Sequence, residues 1–114
     1  MKTLITTIIA AVIATTSMAQ AEPDYNKMKE AIVCESIYAI NLVINAPDEF
    51  ELYEKEVKKK EFFRDVFFSF KQDTKGKFIT SQGIKLSQKV LHDPELRKEA
   101  IKYCDMVYEV NTQG

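Results

Sequence analysis

The chain predicts an all-α protein, a small bundle of four or five helices with one disulfide joining the first helix to the last. Three observations carry that expectation. Apolar residues recur three and four apart in almost every segment after residue 24, the period of a helix face. Pro47-Asp48-Glu49 and Asp93-Pro94-Glu95 put proline and acids where helices begin. The only two cysteines, Cys34 and Cys104, fall on apolar faces near opposite ends of this helical stretch.

The first helix is expected over residues 24–45, with Val33, Ile37, Ile40 and Ile44 at helical spacing and Cys34 beside them. Ile32, Ala39, Leu42 and Val43 spread apolar surface round it, leaving Lys27, Glu30, Asn41 and Asn45 as the polar edge. A helix so apolar on most sides belongs in the middle of a bundle. Asn45-Ala46-Pro47 ends it, because a residue before proline is pushed out of the helical region. Pro47-Asp48-Glu49 then opens a second helix, with proline at its first position. Phe50, Tyr53 and Val57 form its apolar stripe. Acids lead and Lys58, Lys59 and Lys60 follow, an order that complements the macrodipole. Phe63, Val66, Phe67 and Phe70 continue the pattern on a different face, so either the helix bends near Lys60 or one long helix meets different partners at its two ends.

Asp73-Thr74-Lys75-Gly76-Lys77 reads as a polar turn. Thr80 or Ser81 would cap a short helix carrying Ile84, Val90 and Leu91, with a brief extended piece at Phe78-Ile79 as the alternative reading. Asp93 as N-cap, with Pro94 at the first position, is the sharpest boundary in the chain. The last helix shows Leu96, Ala100, Tyr103, Cys104 and Val107 on one stripe.

Residues 1–21 read as a signal peptide and residues 22–114 as a single helical domain. Lys2 supplies the positive start, and residues 4–14 are apolar apart from Thr6 and Thr7. Ala19-Gln20-Ala21 offers small residues to a signal peptidase, favouring a cut before Glu22 with a cut after Ala19 as runner-up. So short a run is a poor membrane span, which implies an exported chain with no stable membrane anchor. A periplasmic location is expected, with secretion as the alternative. There, an even pair of cysteines most simply forms a Cys34–Cys104 disulfide. It would close a loop of about 70 residues, worth about 4 kcal/mol in the chain-entropy account.

The formal charge of −1 offers nothing that would draw the chain to nucleic acid. His92, the only histidine, precedes a helix cap rather than completing a catalytic triad. No phosphate-cradling glycine loop, nucleophile elbow or zinc-ligand spacing occurs. Enzyme chemistry, a metal and a cofactor are therefore not expected. Two stretches have the make-up of interaction surfaces. Residues 62–70 hold five phenylalanines that no single helix face can take, so Phe62 and Phe68 flank the packed side or face outward. The acidic run of residues 48–56, with Asp48, Glu51 and Glu54, would steer a basic partner.

Tyr25-Asn26-Lys27 leading to Cys34-Glu35, with Tyr103-Cys104-Asp105 near the far end, resembles the cysteine surroundings of the Spackle family of T-even phages. The resemblance covers these two ends of the chain. It implies a small exported helical protein that blocks a phage tail lysozyme in the periplasm and so excludes a second phage.

Together these readings predict a small monomeric or homodimeric exported protein that acts by binding another protein. The expected form is an inhibitor or immunity-type protein that occludes its target, with a cell-wall lytic enzyme as the concrete candidate. The alternative is a periplasmic chaperone-like or stress-response module whose exposed aromatics hold unfolded clients.

Overall fold

A computed structural model describes residues 20–113. It contains four helices: α1 (Tyr25–Ile44), α2 (Phe50–Phe68), α3 (Thr74–Leu91) and α4 (Pro94–Thr112). No strand occurs among the described residues, only an isolated bridge between Ala21 and Phe70. None of the helices is long and apolar enough to cross a membrane. The expected signal peptide lies outside the described residues except for Gln20 and Ala21.

Each helix starts where its local chemistry allows. The Asp24 side chain accepts from the Lys27 amide, Asp73 from Gly76, and Asp93 from both Glu95 and Leu96, so three of the four N-termini have their orphan donors capped. At α2 the expected start moves. Pro47, Asp48 and Glu49 lie before the helix, and Glu49 caps it without a side-chain bond. Proline ends α1 as expected but does not also open α2.

Every other helix packs on α1, which is the central element. Its core line runs through Met28, Ala31, Cys34, Ile37 and Tyr38. The stripe expected through Ile40 and Ile44 is only half correct, since both are exposed. That line leaves the stretch of α1 that its neighbours cover, while the long side chains of Met28 and Tyr38 fill the centre. α2 runs antiparallel to α1, with Phe63 stacked on Tyr38 and Phe67 buried toward the far end. α2 is one continuous helix through Lys60, and its two ends meet different surroundings.

The largest correction concerns α3. The stretch expected to be a turn followed by a short helix, with an extended piece as the alternative, is one helix of 18 residues. Gly76 and Gly83 are not breakers here. With Ser87 they are buried against α1, at positions seven and four apart, so they share one face. An added Cβ on Gly83 would sit 2.4 Å from Ile32 Cγ2, and one on Gly76 would sit 3.0 Å from Met28 Cε. Small residues let the two backbones approach closely, and tertiary contact outweighs the helix propensity of about 1 kcal/mol lost at each glycine.

α4 lies antiparallel to α1 and is joined to it by the Cys34–Cys104 disulfide, with Cα atoms 5.8 Å apart. Cys104 is the only residue of α4 that is fully buried. Ala100 and Val107 are half-buried as expected, whereas Leu96 and Tyr103 are exposed. The disulfide thus supplies much of what holds this helix in place.

Candidate functional site

The apolar stripe expected on the second helix exists, and it faces away from the core. At 100° per residue, the Phe50–Tyr53–Val57 side of α2 lies about 100° from the Phe63–Phe67 side. The latter is buried; on the former Val57 is half-buried, and exposure grows through Tyr53 to Phe50. Phe50 is 71% exposed. With Glu54, Lys58 and Glu61, these three residues line a shallow groove of about 270 Å³.

The acids predicted to steer a partner gather at this end of the molecule. Asp48 sits in the connection before α2, and Glu51 and Glu54 stand exposed on its first turns. Glu54 lines the groove itself. Val43 and Ile44, the exposed last residues of α1, immediately precede this acidic connection.

Phe62 and Phe68 do not join that site. Phe68 is 58% exposed, in edge contact with Phe67. Phe62 packs edge-on against Phe63 and Tyr108 and is half-buried, so it flanks the packed side while Phe68 is the outward ring. α4 supplies the reason, because Tyr108 closes over the side of α2 that carries Phe62. Phe68 lies about 27 Å along the helix from Phe50. The two sequence features are therefore two separate surfaces.

A polar cluster that sequence reasoning missed ties three helices together. The Tyr38 hydroxyl donates to Asp105 Oδ1 at 2.5 Å, and Lys59 Nζ donates to Asp105 Oδ1 and Glu56 Oε2, both at 3.0 Å. Burial pushes the Tyr38 phenol far above its usual range, and the hydrogen bond to Asp105 pushes the same way. Burial pulls the Lys59 ammonium down, but bonds to Glu56 and Asp105 outweigh it and leave the group above its ordinary value. Tyr38 thus stays a protonated donor and Lys59 a cation. The cluster behaves as a strut between α1, α2 and α4. One signal for it was present: Tyr38 lies one helical turn after Cys34 and Asp105 directly follows Cys104, so the disulfide brings them together.

A second groove of about 290 Å³ runs beside the disulfide, with Val33, Ile37, Leu86 and Ala100 on its walls. The Tyr103 hydroxyl donates to Glu30 at its rim, and that bond raises the phenol's pKa. Among the described residues, no three His, Cys, Asp or Glu side chains are grouped to hold a metal ion. His92 is exposed at the C-cap of α3, where its charged form would favour the macrodipole.

No protein-family model, curated protein or solved structure matches the chain.

Proposed function

We propose that this is an exported periplasmic binding protein of inhibitor or immunity type, which occludes a basic target protein with the acidic end of α2. The observation that carries the reading is the Phe50–Tyr53–Val57 stripe, apolar and exposed at Phe50 and Tyr53, with Asp48, Glu51 and Glu54 around it. An apolar centre with a charged border is the make-up of a protein-binding surface, in which the rings supply affinity and the charges supply rate and selectivity. The disulfide suits an oxidising compartment. The resemblance of both cysteine neighbourhoods to the Spackle family points to a lysozyme-like cell-wall lytic enzyme as the target.

The test is to measure binding of a cationic lysozyme to the purified protein, together with the cell-wall lysis that remains. Glu51→Lys with Glu54→Lys should slow association mainly at low salt, and Phe50→Ser should speed dissociation. Unchanged binding in both variants would remove the α2 surface from the reading. A second reading, the chaperone-like module, draws on Phe68, Met106 and Val110, which are exposed on other parts of the surface. It would be favoured by suppression of client aggregation that is indifferent to salt and to Glu51 and Glu54.

A further inference from the structure

We infer that the acidic corner between α1 and α2 docks onto the lysine-bearing outer face of α3 in a second copy of this chain, head to tail. The charge of the molecule is segregated although its sum is nearly zero. Residues 43–54 contain four acids, Asp48, Glu49, Glu51 and Glu54, and no base; all four acids are exposed. Within the same stretch Val43 is 79% exposed and Phe50 71%.

α3 has the opposite make-up. It carries Lys75, Lys77, Lys85 and Lys89 and no acid, with Phe78 62% exposed among them. At 100° per residue, Phe78, Lys85 and Lys89 fall opposite the Gly76–Gly83–Ser87 side that packs on α1, so they point away from the bundle. Lys75 is occupied, with its ammonium 4.7 Å from the centre of the Tyr25 ring. Among the described residues, neither the other three lysines nor the four acids take part in an ion pair. Each face therefore joins apolar side chains to an excess of charge of one sign, with Lys58 the one base lining the groove beside Phe50, and the two signs are complementary.

α2 and α3 both pack on α1 without packing on each other. One copy therefore presents both faces at once, as a head-to-tail contact requires. This inference goes beyond the occlusion reading and does not rest on it, since no target enters its test. The two share one corner, so a bound target would compete with the second copy.

Sedimentation of the purified protein over a concentration series tests the contact. Species larger than the monomer should appear at about 0.01 M salt, where the Debye length is about 30 Å, and dissociate at about 1 M, where it is about 3 Å. E51K/E54K and K85E/K89E should each remain monomeric in low salt with unchanged helical circular dichroism, because all four positions are exposed. Mixed together, the two variants should associate again, since each then meets the opposite sign. A wild type that is monomeric throughout the series at low salt overturns the inference. So does association that persists in both single-face variants, or a mixture that stays monomeric.

Discussion

Gly83→Ala should destabilise this protein, although alanine is the better helix former. In an exposed helix interior the substitution would gain about 1 kcal/mol. Here the new methyl would lie 2.4 Å from Ile32 Cγ2. Carbon atoms rest at about 3.5–4.0 Å, so the pair must part by more than about 1 Å. Ile32 cannot simply swing aside, because a β-branched side chain in a helix has one strongly preferred χ1 rotamer. Either Ile32 leaves its rotamer or α3 lifts from α1 and loosens the Met28 and Ser87 contacts. Overpacking of this kind costs about 1–3 kcal/mol, and so close an approach belongs at the upper end. The net loss should be about 2 kcal/mol, which in a domain of this size lowers Tm by about 10 °C. Urea and thermal unfolding of Gly83→Ala, Ile32→Ala and the double variant would measure it. Removing Cγ2 removes the clash, so Gly83→Ala should be neutral or stabilising in the Ile32→Ala background, and the double variant should lose less stability than the two single losses added together. If Gly83→Ala is as stable as wild type, or equally harmful in both backgrounds, close α1–α3 packing is not what glycine secures.

Cys104→Ser should lower stability by about 4 kcal/mol, read by urea unfolding under non-reducing conditions, because the bridge spans a sequence separation of 70 and α4 buries little else. Phe62→Ser should cost about 2–4 kcal/mol and Phe68→Ser less than about 1 kcal/mol, since only the first ring packs against both Phe63 and Tyr108; equal losses would contradict the arrangement. Asp73 is held below its usual value of 3.8, first by the hydrogen bond from Tyr25 and then by that from the Gly76 amide. A depressed folded value means stability present above pH 3.8 and lost as pH falls through the folded value. Asp73→Asn, which can still cap α3, should therefore be less stable than wild type at neutral pH, with the gap closing in acid.

How far the sequence reached depended on whether a feature was local. Asp93-Pro94 announces the start of α4 because a cap and a proline act within one helical turn, and the structure places the boundary there. The proline at 47 ends α1 for an equally local reason. The α2 aromatics showed by spacing alone that two faces of one element were apolar. The acids at 48, 51 and 54 declared their charge, but nothing in their order told which face they would border.

α3 illustrates the opposite case. Asp73-Thr74-Lys75-Gly76 has the composition of a turn and of a capped helix start, and residues within reach along the chain do not separate the two. The choice is made by Met28 and Ile32, which lie on α1 about 50 residues away and leave little room at position 76 and none for a side chain at position 83. The Tyr38–Lys59–Asp105 strut likewise needs three helices in register before its members meet. Whether Phe62 or Phe68 is the outward ring turned on α4, whose Tyr108 reaches only one of them. Sequence by itself determined that this chain is helical, where two of its boundaries fall and that Cys34 and Cys104 were placed to join its ends, because those follow from propensity, capping and pattern over a few residues. Which glycines are core, which rings are covered and which apolar stripe is left open to a partner were decided only by the tertiary structure, because burial belongs to pairs of surfaces that the chain brings together from far apart.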